Sequence, residues 1–194
     1  MFKRLFGKKE FSDEGLELYR LTVEQGRRPV FYTQVGVPDS VDGRFDILAL
    51  HVFLLMRRLK DLGQPAEALS QDLSEIFFAD MDLNLREMGA SDIGVGKRVK
   101  RMIEGFYGRA LAYDEALRGE QAPSEQSEDA LVAVLKRNLF ATVEATPDQL
   151  ATMAAYIRLV DQDLAGQGWD DLSQGRVRFV DPRVPEGSAS LAAS

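Results

Sequence analysis

Apolar residues recur at helical spacing along most of this chain, and nearly every recurrence is bounded by a capping or breaking residue. From Ser12 to about Gln25, Leu16, Tyr19 and Val23 share one face. Gly26 and Pro29 stop that helix. Val30 then opens the stretch VFYTQVGVP, aromatic and β-branched but isolated, which predicts an ordered extended strap laid on helices rather than a strand of a sheet. Asp39 or Ser40 can cap the next helix, to about Leu62. Its centre, ILALHVFLLM, is apolar on every side, the pattern of a helix in the middle of a bundle. Gly63 ends it, and Pro65 sits in the first turn of a helix that carries Leu69, Leu73, Ile76, Phe77, Met81 and Leu85 before Met88 and Gly89.

After the short loop GASDIGVG comes a stripe of Val95, Val99, Met102, Phe106, Ala110, Tyr113 and Leu117. So short a loop leaves the two helices it joins as antiparallel neighbours. Residues 119–127 are polar, contain Pro123 and read as a linker. A helix follows from about Glu128 to Phe140. Thr146-Pro147-Asp148-Gln149 is a capping box with proline at the first helical position, and launches the last helix through Leu150, Met153, Ile157, Val160 and Leu164. Periodicity fades from Gly166, and the ending EGSASLAAS is small and polar, the composition of a disordered tail. The fold class is therefore all-α: a single-domain bundle of about six helices over 12–165, with a basic tail at 1–11, an extended strap, and an irregular, partly disordered tail over 166–194.

Composition narrows the chemistry. With 194 residues and 45% hydrophobic residues the chain can bury one substantial core. It has no cysteine and one histidine, His51, which removes disulfides, thiolate metal sites, a cysteine nucleophile and any site needing two histidines. The same count forbids bis-histidine haem ligation, and nothing favours His51 paired with Met81 or Met88, so no cofactor or metal is expected. His51 in a buried helix reads as hydrogen-bonded to a neighbouring backbone group or carboxylate. The formal net charge of −7 argues against DNA binding. The longest apolar run, Ile47 to Met56, is well short of the ~20 residues of a membrane span. MFKRLFGKKEF lacks the apolar centre of a secretory signal; it reads as a solvated terminus, or as a weak anchor at a membrane or ribosome surface. A cytoplasmic location, at most peripheral on a membrane, is the expectation.

Two motif-like runs fail on inspection. Gly96-Lys97 lacks the earlier glycine, the following Ser or Thr and the preceding strand of a phosphate loop. Asp80-Met81-Asp82-Leu83-Asn84 lacks the glycine and the terminal glutamate of a calcium loop, and sits within a helical stripe. Two other features carry weight. Lys97, Arg98, Lys100 and Arg101 place four cations in five residues near a helix N-terminus, where the helix dipole disfavours them. Their compensation is either internal, from Asp80, Asp82 and Glu87 on the preceding helix, or an acidic or phosphate-bearing partner. Phe77-Phe78 points two aromatics about 100° apart. Either both are core, or Phe78 is free for a partner.

The stretch RFDILALHVFLLMRRL, followed by FFADMDLNLREMGASDIGVGKRVKRMIEGFYGRA, resembles the ubiquinol–cytochrome c chaperone family. VGVPDSVDG before it is similar to that family's approach to this helix. The resemblance is strong over about a third of the chain, within a core of 38–118. It implies an all-α fold and a non-enzymatic role: an assembly chaperone that receives newly made cytochrome b for the bc1 complex, near the ribosome exit and the membrane, with a small helper protein. By position, the family's signature falls on His51, Phe78, Asp80, Met81 and Asp82, then on Arg86, Glu87, Met88 and Gly89, then on Lys97, Arg98, Lys100, Phe106, Tyr107 and Gly108. The candidate partner-binding residues are thus Phe77, Phe78, Met81, Asp80 and Asp82 on one helix, and Lys97, Arg98, Lys100, Arg101, Phe106 and Tyr107 on the next. Two other classes stand beside this reading. One is a ribosome- or RNA-surface binder using the basic helix. The other is an enzyme of lipid or quinone chemistry using an apolar groove and His51.

Overall fold

Ser40 opens the central helix as its sequence requires: its hydroxyl accepts from the Gly43 amide at 3.1 Å, satisfying one of the free amides of the first turn. The computed structural model describes residues 11–87, 92–119 and 129–184. Among these, the chain forms α1 (Asp13–Gly26), α2 (Pro29–Thr33), α3 (Val41–Asp61), α4 (Gln64–Glu87), α5 (Asp92–Gly119), α6 (Ala130–Asn138), α7 (Pro147–Ala165) and α8 (Trp169–Leu172), and no strand. The all-α bundle expected from the sequence is what forms, and its six longer helices are the six that periodicity predicts. Residues 1–10, residues 88–91 with the expected helix stop at Met88 and Gly89, the expected linker over 120–128 and residues 185–194 lie outside the described residues.

α3 is the axis. Ile47, Leu50, Val52, Leu54, Leu55 and Leu59 are all buried, and α1, α4, α5 and α7 pack around them. Arg109 of α5 pairs with Asp46 of α3, Tyr113 stacks on Phe53 at 5.9 Å, and Asp114 pairs with Arg57. Numbers rise together along the two helices, so α5 runs parallel to α3 and therefore antiparallel to α4 between them. Arg57 also meets Asp161 of α7 at 2.8 Å. One largely buried guanidinium thus clamps three helices. Arg57→Ala would strand Asp161 and leave Asp114 to Arg118 alone, and is expected to lower thermal stability well beyond an exposed Arg→Ala such as Arg20→Ala; equal melting of the two variants would contradict the clamp.

The strap is helical at its start. Pro29 at the first helical position presets one turn, Pro29–Thr33, and buried Phe31 holds it against the core. Beyond that turn the expected strap has no regular secondary structure, and its Val35 and Val37 are buried. Gly36 has φ 84°, a left-handed conformation, and a Cβ there would lie 2.2 Å from the Gln149 side chain, which belongs to the α7 capping box. Gly43 is required for a different reason. A Cβ would sit 2.1 Å from the Pro38 carbonyl oxygen, because the strap folds back across the start of α3. Gly43→Ala should cost about 1–3 kcal/mol by overpacking, readable as a lowered denaturation midpoint; an unchanged midpoint would show that the strap moves freely.

The segment after α7 is irregular but packed. Gln167, nearly buried, donates from Nε2 to the Arg178 carbonyl at 2.8 Å, and its Oε1 accepts from the Arg178 amide at 2.9 Å. Arg58 of α3 donates twice to the Gln167 carbonyl. Leu172 and Val177 join the core, and Phe179 meets His51 edge-on at 5.6 Å. Ordered packing therefore continues to Val184.

Candidate functional site

His51 is a structural histidine. It is fully buried, with Nδ1 2.7 Å from the Ile47 carbonyl and Nε2 2.7 Å from the Tyr156 hydroxyl. A carbonyl only accepts, so Nδ1 carries the proton and the Tyr156 O–H donates to Nε2. Tyr156 in turn accepts from Gln25 Nε2, which also donates to the Val180 carbonyl. Both ring nitrogens, the Tyr156 hydroxyl and the Gln25 amide nitrogen are thus hydrogen-bonded. Burial pushes the imidazole pKa down to about 4, against a smaller opposing effect of the Ile47 carbonyl. A fully enclosed, neutral imidazole does not reach a substrate, and the reading of His51 as hydrogen-bonded to backbone is correct.

The α4–α5 pair brings the predicted aromatics together. Phe77 lies at the centre of a ladder. It stacks on Phe45 at 5.7 Å, tilts against Tyr19 at 6.5 Å and meets Phe106 at 5.3 Å. Phe78 is half-buried and touches Phe106 edge-on at 5.5 Å and Tyr107 at 6.0 Å. Tyr107 is 50% exposed. The ladder thus runs from the closed core to the surface through stacked, tilted and edge-on ring contacts. Phe77, Phe106 and Met81 are themselves buried, so they present nothing to a partner in this state. Phe78 and Tyr107 are the rungs a partner can reach. The two adjacent phenylalanines divide as their angular separation implies, with Phe78 the more open.

The acidic residues have internal duties. Asp80 accepts from the buried Tyr19 hydroxyl at 2.7 Å; burial first, and then this carboxylate, drive the Tyr19 pKa well up. Asp82 pairs with Arg86 one turn on. Neither meets the basic run. Lys97, Arg98, Lys100 and Arg101 are exposed, and among the described residues their one ion pair is a loose Lys100–Glu104 contact of 3.8 Å. The internal compensation considered for them is absent there. Their cost is also smaller than the sequence suggested. α5 begins at Asp92, which puts Lys97 beyond the first turn, where the dipole effect fades. What remains is mutual repulsion of cations three and four apart, a few tenths of a kcal/mol each.

Sequence reasoning missed two participants. Leu111 lies one turn beyond Tyr107 and is 59% exposed. Its signal was visible as an apolar residue off the α5 stripe. Phe45 joins the ladder from α3 and is covered by the Arg109 guanidinium at 5.5 Å from its ring centre. Arg109 also pairs with Asp46, whose pKa burial raises to about 6 despite that cation. No group of three or more acidic or imidazole side chains suited to a metal ion occurs among the described residues. Nor is any helix among them long and apolar enough to cross a membrane.

The profile of a family described as Ubiquinol-cytochrome C chaperone matches residues 33–179, more than half of the chain and all of the ladder save Tyr19. The mouse protein named ubiquinol-cytochrome c reductase complex assembly factor 1 is 27% identical over 177 residues, covering 91% of this chain and 57% of the mouse protein. The Xenopus laevis protein of that name is 24% identical over 81% of this chain and 75% of its own length, and the human one 26% identical over 81% and 50%. This chain thus spans about half the length of its mouse and human relatives. The crystal structure of the Cbp3 homolog from Brucella abortus superposes with a TM-score of 0.75 at 35% identity, covering 87% of this chain and 89% of that one.

Proposed function

Because this chain belongs to the ubiquinol–cytochrome c chaperone family, we propose that it is a non-enzymatic assembly chaperone that holds newly made cytochrome b, or a similar membrane-protein client, on its way into the bc1 complex. The names of the animal relatives support the process. The observation that carries the surface is the aromatic ladder, which lies almost wholly within the family match and opens to solvent at Phe78 and Tyr107. An uninserted membrane helix is apolar, and an exposed aromatic edge backed by a closed core gives it a landing without unfolding the holder. Phe77, Phe106 and Met81 support that edge from beneath. Asp80 fixes it through Tyr19, and Asp82 braces α4 through Arg86. Lys97, Arg98, Lys100 and Arg101 orient the complex by charge. The protein works in the cytoplasm or at the cytoplasmic face of the membrane, with a small helper protein and the ribosome as further partners.

The test is a mild-detergent affinity capture from the protein's own cells, read by mass spectrometry. Capture should enrich cytochrome b, and Phe78→Ser combined with Tyr107→Ser should reduce its recovery at least roughly tenfold, as loss of an interface anchor does. Recovery of ribosomal proteins alone would replace this reading by ribosome binding.

A further inference from the structure

We infer that the outward face of α5 seats the protein on an anionic lipid surface, with Lys97, Lys100 and Arg101 at phosphate level and Tyr107 and Leu111 dipping toward the acyl chains. At about 100° per residue, these five side chains fall within roughly a third of the helix circumference, opposite buried Phe106 and Tyr113; Glu104, loosely paired with Lys100, and exposed Glu115 share that arc. The two apolar members are exposed by 50% and 59%, one turn apart. Gly108 between them leaves open space where a Cβ would stand, so the face is low there. The cations stand against a net charge of −7 for the whole chain, and within the described residues Lys97 and Arg101 have no ion pair. Over 97–101 the four cations outnumber the one carboxylate among the described residues that reaches them, Glu104, and this local excess calls for an anionic counterpart.

Three observations favour lipid over other anions. Cations at the start of one helix face, followed further along it by a tyrosine and a leucine, let a tilted helix match the layered polarity of a membrane interface. An RNA phosphate backbone would meet the cations but leave Leu111 without a partner. A membrane-protein client carries an excess of Lys and Arg in its segments on this side of the bilayer, so these cations orient its complex by repulsion and still lack an anionic counterpart. The inference rests on the chaperone reading only for why a membrane is at hand. The lipid contact needs no client, so purified protein tests it alone.

The experiment is co-sedimentation of the full chain with phosphatidylcholine vesicles, with and without phosphatidylglycerol, at low and high salt. Binding is expected to the anionic vesicles, weakening as salt screens it, and none to the neutral ones. Lys97→Gln, Lys100→Gln and Arg101→Gln together should weaken it about a hundredfold. Their melting temperature should hold or rise slightly, because like-charge neighbours are removed. Leu111→Ser should weaken binding about tenfold with the salt dependence unchanged. No binding to anionic vesicles, or equal binding by wild type and the triple variant, overturns the inference. So does a preference for purified ribosomes over anionic vesicles, which would give this face to RNA. Loss of client capture with vesicle binding retained would count against the chaperone reading and leave the lipid surface standing.

Discussion

Phe77→Ala is expected to lower the unfolding free energy by about 3–5 kcal/mol, a fall in melting temperature of roughly 10 °C for a chain of this size. Phe77 is fully enclosed and contacts rings from α1, α3, α4 and α5, so its loss opens a cavity that four helices would have to close together. Tyr107→Ala, at the exposed end of the same ladder, should change stability by no more than about 0.5 kcal/mol. Thermal denaturation of the two variants, paired with client capture, separates support from contact. Phe77→Ala acts on folding and on capture through it; Tyr107→Ala acts on capture alone. If Phe77→Ala melted like wild type, the ladder would not be part of the core and its proposed role as a backing would fail.

The second large effect is on pH. The folded-state pKa of His51 is about 4, below its unfolded value near 6.5. A depressed pKa means that the unfolded chain takes up the proton more readily. The stabilisation is complete above pH 6.5, declines as pH falls, and is lost through pH 4; the full difference is about 3 kcal/mol. Asp46 acts in the opposite sense. Its folded pKa, about 6, lies above the usual 3.8, so its contribution is present below that value and is lost as pH rises through 6. Asp46→Asn removes this opposing slope and leaves the His51 effect to be read from denaturation midpoints between pH 7 and pH 4. His51 is the only histidine, so its imidazole resonance is unambiguous. A midpoint of titration near 6.5 in the folded protein would falsify the buried network.

The helices were legible because their signals are local. Ser40 caps α3, and Thr146 with Gln149 forms the capping box of α7, both where the sequence places them. Two segments were less legible, for different reasons. Over Pro29–Thr33 the β-branched and aromatic composition favours extended backbone, but proline at the first helical position and burial of Phe31 outweigh it. After Gly166 the chain is held by scattered apolar residues, Leu172 and Val177 among them, and by two glutamines, Gln25 bonding to the Val180 backbone 155 residues on and Gln167 to Arg178 11 residues on, and no periodicity announces such contacts. The site was legible in part. Helical spacing brings Phe77, Phe78, Phe106 and Tyr107 into one cluster, but exposure depends on neighbours from α1 and α3. That is why buried Phe77 and Phe106 could not be told from open Tyr107, and why Leu111 went unnoticed.

The two ends of α5 are fastened differently. From Phe106 onward it is tied to α3 by the Asp46–Arg109 pair, the Phe53–Tyr113 stack and the Arg57–Asp114 pair. Before Phe106, no ion pair or ring contact to another helix occurs among the described residues, and the exposed cations there repel one another. Amide hydrogens in the first turns of α5 should therefore exchange through small local openings, while those near Tyr113 wait for global unfolding. A helix so built has a stiff anchor and a compliant tip. Its charged end rests on apolar contacts at Val95 and Met102, so it yields to a surface at less cost than the end that is clamped.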